Sequence, residues 1–431
     1  MPDFEDRSKA DCVTPNRATI RVNFGRLALA NIGAQAIPLL VSPILTRIYD
    51  PTAFGAFGIF STITANVAAV ATLKLDWLMP NEASPGRARA LLRAGLATTA
   101  AAAFTMPLLV FMVPALGSQL HDPISRMLLP VAVLCTGVIA LLSGWWIREG
   151  ALGVMGVAKV AQAMVTAAVA ILLGTLAGQL AWGLEGSFVA GLITACVLMR
   201  VPLTAKHPES APDAVYSATR VAWGLRHGAA TSTAIAAANT LCNSIPIIVT
   251  TALYSAEQVG WVVLAQRVIL GPPALLSAAF ANAFWSNAAA LARGLKIEEL
   301  SRLYRRTTLR LLGISLLPAA GCMLAPYLIG PIFGAAQWQA AGEIGQAFAP
   351  MVIGSIALAP TNHLVVLGEQ RMQFLSDGTR LILSVLVAVL AWRIDLSLTS
   401  TIWLLSSVSV LGNAVLFLTH ITAHARARSR I

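Results

Sequence analysis

Charge is what this sequence has least of. Asp, Glu, Lys and Arg make up 11% of its 431 residues, against 57% hydrophobic ones. A soluble domain carries about 25% charged residues, so a water-facing surface on a chain this long would be mostly apolar. That excludes a soluble globular protein and leaves lipid as the solvent. Cysteine is sparse and dispersed. Cys12, Cys135, Cys196, Cys242 and Cys322 form no CxxC pair and no Cys/His cluster, so neither a disulfide framework nor a metal site is expected. GxSxG, HExxH, P-loop and DxD-type signatures are also missing, which argues against an enzyme and against a pump driven by its own nucleotide hydrolysis. Residues 1–22 lack an apolar run ahead of a cleavage site and hold eight charged side chains, from Asp3 to Arg21. They read as a cytoplasmic arm rather than a secretory signal.

What is present is a succession of apolar segments, at about 27–46, 54–79, 91–116, 127–147, 153–176, 180–199, 229–253, 259–291, 311–333, 344–367, 374–392 and 401–421. Most approach or exceed the roughly 20 helical residues that cross a hydrocarbon layer. The expected fold is an all-α integral membrane protein of about 12 transmembrane helices, arranged as two pseudo-symmetric six-helix bundles around a central cavity. The boundaries are a cytoplasmic arm over 1–26, an N-terminal bundle over 27–200, a cytoplasmic connection over 201–228, a C-terminal bundle over 229–421 and a basic tail over 422–431. Small residues are abundant in every segment and permit close helix approach, the main route to packing where lipid supplies no hydrophobic force.

The net charge of +11 resides in short loops, not on one soluble face, so no nucleic-acid partner is expected. With the N-terminus inside, the outer loops hold only Arg47, Arg126 and Arg393, and Lys74, Lys159 and Arg267 fall within apolar segments; the other 24 of the 30 basic residues lie inside. This asymmetry orients the chain with both termini in the cytoplasm. No loop is large enough for a soluble catalytic domain.

An internal repeat accompanies the helix count. Tyr49-Asp50-Pro51-Thr52-Ala53-Phe54-Gly55 aligns without gaps on Tyr254-Ser255-Ala256-Glu257-Gln258-Val259-Gly260. Each is the first outer turn of its half, and prolines are expected to interrupt the helix before it: Pro38 and Pro43 in one half, Pro246 in the other. Two halves entering from the same side imply a pseudo-twofold axis along the membrane normal, a transporter architecture.

Arg267 is the most informative residue. It lies about ten residues into the eighth segment, about 15 Å deep. An arginine there costs about 2.5–3.5 kcal/mol on insertion scales, so it should face a polar interior. Gln266 precedes it, and Pro272-Pro273 should kink or break the helix just beyond. Lys159, with Gln162 one turn on, is either a second interior cation or a side chain snorkelling to the interface. Asn31, Gln35, Asn66, Asn239, Asn243 and Asn282 would line a wet interior, each also able to act as interhelical glue. Lys74 and Asp76 read as an interfacial anchor, Asp377 and Arg380 as a mutual pair one turn apart, and Glu185 as a shallow residue facing headgroups.

Several stretches resemble one family. Leu45, Arg47, Tyr49, Pro51, Phe54 and Gly55 reproduce an L-x-R-x-Y-x-P-x-x-F/Y-G order similar to the first outer turn of polysaccharide-biosynthesis flippases. Segments 71–76, 146–149 (with Lys159 and Gln162 beyond), 260–273 and 367–371 resemble further parts of it in the same order. The chain thus looks like a Wzx-type flippase of the multidrug/oligosaccharidyl-lipid/polysaccharide (MOP) exporter superfamily. The resemblance implies translocation of an undecaprenyl-diphosphate-linked oligosaccharide across the bacterial inner membrane, for O-antigen, capsule or exopolysaccharide. It implies alternating access without a bound cofactor, driven by a proton or sodium gradient, with membrane lipids and other polysaccharide-assembly proteins as partners. Arg267, Lys159 and Gln266 would then meet the diphosphate, and Asp76 and Asp377 are candidates for ion coupling. The alternatives are a drug or metabolite antiporter of the same superfamily, a lipid II flippase, and a membrane-embedded O-antigen polymerase or ligase.

Overall fold

The computed structural model describes residues 17–82, 84–112, 122–176, 182–200, 224, 226–277, 280–281, 284, 297–334, 336–357, 359 and 370–429. Among them the secondary structure is helical throughout. The first half contributes α1 (Arg17–Ile48), α2 (Pro51–Ala71), α3 (Pro85–Met112), α4 (Pro123–Arg148), α5 (Leu152–Leu176) and α6 (Gly183–Met199). The second contributes α7 (Arg226–Leu253), α8 (Ala256–Ala265, continued by Gln266–Leu270), and α9 (Ile297–Gly321, continued by Ala325–Phe333). It ends with α10 (Gln339–Ala347 and Ala349–Ala357), α11 (Gln370–Arg393) and α12 (Leu398–Ser429). Nine of these passes, among the described residues, are long and apolar enough to cross a membrane, and Gly183–Met199 is a shorter apolar helix. Leu40, Phe104, Phe111, Leu317 and Leu386 lie exposed, as expected of a surface solvated by lipid.

α1 starts at Arg17, within the stretch expected to be an arm, and α12 runs to Ser429 through the expected tail. Alanine and arginine are strong helix formers, so the Ala423–Arg428 segment prolongs the helix beyond its apolar part.

The two halves begin alike. Asp50 caps α2, its carboxylate accepting from the Ala53 amide at 2.8 Å, with Pro51 in the first turn. Ser255 caps α8 at the aligned position through a capping box with Gln258. The aligned tyrosines each tie this corner to the fifth helix of their own half. Tyr49 donates to the Ala170 carbonyl in α5 at 2.8 Å, and Tyr254 to the Leu396 carbonyl just past α11 at 2.8 Å.

The repeat is also a contact. α2 packs on α8, and a Cβ on Gly55 would collide with the Ala256 carbonyl oxygen, while one on Gly260 would collide with that of Pro51. The alignment maps Pro51 onto Ala256 and Gly55 onto Gly260, so the two collisions are one contact made twice, as a twofold interface requires. Gly58 sits equally close to the Val263 side chain. One core cluster spans this seam, joining Leu45, Tyr49 and Phe54 to Val259, Val263, Ile329 and Trp338. The Trp338 indole is fully buried, donates to the Thr46 carbonyl at 3.0 Å and meets the Phe54 ring edge-on at 5.1 Å. The molecule is therefore closed between its halves at the end bearing the Tyr49 and Tyr254 turns, called the outer end below after the assignment the charges give it.

Several of the described helices depart from the continuity, or from the place of the break, that the sequence leads one to expect. α2 ends at Ala71, where Leu73 and Lys74 take positive φ of 47° and 51° before a short helix, Leu75–Leu78. α10 is interrupted at Phe348, two residues before Pro350. α8 does not break at Pro272-Pro273. It widens one turn earlier into a π-helical turn over Gln266–Leu270 and then continues to Ser277. Pro272 and Pro273 bring no N–H to the carbonyls four residues back, and a widened turn there makes room for their rings.

Candidate functional site

A cavity of about 400 Å³ opens between α1, α5 and α6, with Phe57 of α2 and Arg267 of α8 completing its wall. Helical spacing explains its lining. Asn31, Ala34, Gln35, Pro38, Val41 and Leu45 recur on one face of α1; Lys159, Gln162, Thr166 and Ala170 do so on α5. Both helices run from the inner end to the outer, so their polar residues come first and their apolar ones last. The cavity is polar at its inner part and apolar under the outer seam. α6 is held close to α5 at Gly191, where an added Cβ would meet the Thr166 side chain and the Gln162 carbonyl.

Two cations line this space, and no Asp or Glu is among its lining residues. Lys159 donates from Nζ to Asn31 Oδ1 at 3.0 Å. It is half-buried and points across the cavity to α1, so it does not snorkel away. Arg267 sits at the start of the π turn, with its guanidinium carbon 5.8 Å from the Phe54 ring centre and 5.6 Å from that of Phe57. Among the described residues it meets no carboxylate. Aromatic faces attract a guanidinium but do not neutralise it. A π turn places its side chains off the regular helical register and recurs at functional sites. Here it lets a helix of the second half present an arginine to a cavity built mostly by the first.

The sequence-derived candidates therefore divide. Asn31, Gln35, Lys159, Gln162 and Arg267 share the cavity. Gln266 is not among its lining residues, because the neighbouring position in the turn faces elsewhere. Asn66 is a strut between α2 and α7, donating to the Thr62 carbonyl at 2.8 Å and to Ser244 Oγ at 2.8 Å. Asn282 lies outside the described residues. Thr166, Ser187, Phe57 and Phe188 also line the cavity. Thr166 follows Gln162 by four residues and was recoverable from that spacing, whereas the three others carried no signal of their own.

Asn239 and Asn243 belong to a separate polar cluster between α7 and α11. Asn243 donates to Asn239 Oδ1 at 3.1 Å, and Arg380 reaches the Cys242 carbonyl at 3.3 Å and Asn243 Oδ1 at 3.4 Å. Asp377 is buried, with Oδ2 meeting no hydrogen-bond partner among the described residues. The expected Asp377–Arg380 pair does not form among the described residues, since the guanidinium turns instead toward α7. Asp76 is also buried, accepting from Thr72 Oγ1 at 3.1 Å with Lys74 Nζ 3.9 Å away. The Lys74 ammonium lies 5.0 Å from the Trp77 ring centre, an anchor-like arrangement with its carboxylate turned inward. Glu185, expected at headgroup level, is instead 1% exposed and hydrogen-bonded to Ser125 of α4.

No protein-family profile matches this chain, and no curated protein matches it in sequence. Solved structures do match. The lipid II flippase MurJ in an inward closed conformation aligns over 93% of this chain and 89% of its own, with a TM-score of 0.68 at 9% identity. A MATE transporter in complex with MaL6 aligns over 95% and 97%, with a TM-score of 0.60 at 13% identity. A MOP superfamily transporter from Pyrococcus furiosus with a binding pocket of reverse polarity aligns over 95% and 97%, with a TM-score of 0.54 at 15% identity. The chain thus has the fold of MOP superfamily transporters, a multi-pass helical membrane architecture.

Proposed function

We propose that this protein is a flippase that moves an undecaprenyl-diphosphate-linked oligosaccharide across the bacterial inner membrane by alternating access. The observation that carries the reading is a cavity with two cations, Lys159 and Arg267, and no lining carboxylate. A diphosphate cannot enter a low-dielectric interior without paired charge, and a site of this sign attracts it while rejecting cationic drugs. Arg267 and Lys159 would bind the diphosphate, Asn31, Gln35, Gln162 and Thr166 the first sugars, and the isoprenoid tail would stay in lipid through a lateral opening. Bundles over 27–200 and 229–421, with both termini cytoplasmic, would rock about this cavity. A proton or sodium gradient would drive the cycle through Asp377 or Asp76, the buried carboxylates outside the cavity that the sequence points to. Other polysaccharide-assembly proteins would supply and consume the substrate.

A second reading, a lipid II flippase, draws support from the likeness to MurJ; it shares the diphosphate and differs in sugar. Deleting the gene separates the two. The O-antigen or exopolysaccharide reading requires a viable strain that accumulates lipid-linked oligosaccharide on the inner leaflet, restored by the wild-type gene but not by Arg267→Ala. Lethal loss of cell-wall synthesis would replace it with the lipid II reading.

A further inference from the structure

We propose that Phe54 and Phe57 are positioning residues that make Arg267 a latch between the cavity and the outer seam, so that an anion entering the cavity loosens the contact between the halves. The inference rests on the anion-binding role of Arg267 proposed above. The sequence Phe54-Gly55-Ala56-Phe57-Gly58 carries both halves of the device. Its two glycines let α2 approach α8 to the point where Gly55 abuts the Ala256 carbonyl and Gly58 abuts Val263. The two phenylalanines, one residue ahead of each glycine, hold their rings within 6 Å of the guanidinium. Arg267 belongs to the second half and the rings to the first, so the ring contact exists only while the seam is closed.

A ligand shifts a conformational equilibrium only through a difference in its affinity for the two states, and the rings supply that difference. In the closed state a diphosphate competes with them for the guanidinium. Once α2 and α8 part, the guanidinium is free to make bidentate bonds to the phosphate oxygens. Anion binding and seam opening therefore favour one another, by the reciprocity of linkage. Phe54 also packs on Trp338, whereas Phe57 lines the cavity. Phe57 is thus the residue to vary.

The test uses the full chain in lipid nanodiscs, with the five native cysteines replaced and Val263→Cys as reporter. Val263 is 7% exposed and faces Gly58 across the seam. Its labelling by a membrane-impermeant thiol reagent reads opening. Inorganic pyrophosphate is the probe, and its binding is measured separately by calorimetry. Pyrophosphate is expected to raise the labelling rate of the reporter. Phe57→Leu, which keeps bulk and loses the ring, should raise the rate without pyrophosphate by about five-fold and tighten pyrophosphate binding. Phe57→Trp, a stronger cation partner, should move both in the opposite direction. A purely packing role for Phe57 would give the leucine and tryptophan variants changes of one sign. That result, or labelling unchanged in both variants while pyrophosphate still binds, overturns the latch alone. Absence of pyrophosphate binding to the parent overturns the anion reading of the cavity and the latch with it.

Discussion

Two of the polar regions within this helical fold are chemical opposites. The cavity between α1, α5 and α6 has space, two cations and no acid. The cluster between α7 and α11 has a buried carboxylate with an oxygen unpartnered among the described residues, an arginine turned toward α7, and two asparagines bonded to each other. The halves share a capped corner, a tyrosine tie and a reciprocal glycine contact. Their interiors do not share chemistry. On our reading, a repeated scaffold has kept the contact that closes it and divided the other work, with anion binding in the cavity, which Arg267 of the second half completes, and ion coupling at a buried carboxylate outside it.

The largest effect should come from removing the cavity's deepest cation. Arg267→Ala is expected to weaken pyrophosphate binding about thirty-fold or more and Arg267→Lys to restore part of it, measured by calorimetry on nanodisc-embedded protein. If both variants bind as the parent does, the cavity is not the anion site and the division of labour collapses. Overpacking the seam comes next. Gly260→Val forces a side chain against the Pro51 carbonyl and should cost about 1–3 kcal/mol, seen as a lower Tm and a more reactive seam cysteine. Gly313, with nothing among the described residues within 4 Å of an added Cβ, should accept alanine without that loss.

Lys159→Gln keeps a hydrogen-bonding partner for Asn31 and removes the charge, so it should lower pyrophosphate affinity by about five- to ten-fold with little change in stability. Asn66→Ala should do the reverse, lowering stability by about 1 kcal/mol through the lost α2–α7 bonds while leaving anion affinity unchanged. Asp377→Asn sharpens the comparison from the other side: it should alter the dependence of transport on a proton or sodium gradient and leave pyrophosphate binding at the parental value.

Much of this arrangement was legible in the sequence, and for physical reasons. Lipid imposes near-continuous apolar runs, so the helical passes stand out. A buried cation is costly enough that Arg267 had to face an interior. Helical spacing put Asn31 with Gln35 and Lys159 with Gln162 on shared faces. Partner choice was less legible. Asn66 could have lined the cavity or joined helices and is a strut, because an amide suits either use and only the neighbour, Ser244, decides. Asp377 and Arg380 looked like a pair, but an arginine one turn away can equally reach the next helix. Glu185 looked superficial because it lies near a segment end, yet α4 covers it with Ser125. The proline pair signalled a distortion correctly but not its position: the π turn forms upstream, at Arg267 itself.

The most direct test of the central claim reconstitutes the protein in liposomes with a fluorescent polyprenyl-diphosphate oligosaccharide and follows its transfer between leaflets by quenching. The account predicts that the parent accelerates transfer and that the Arg267→Ala/Lys159→Ala double variant, present at equal amount and equally folded, does not. Equal transfer by the two proteins would contradict it, as would a parent that leaves the lipid in place and moves cationic drugs instead.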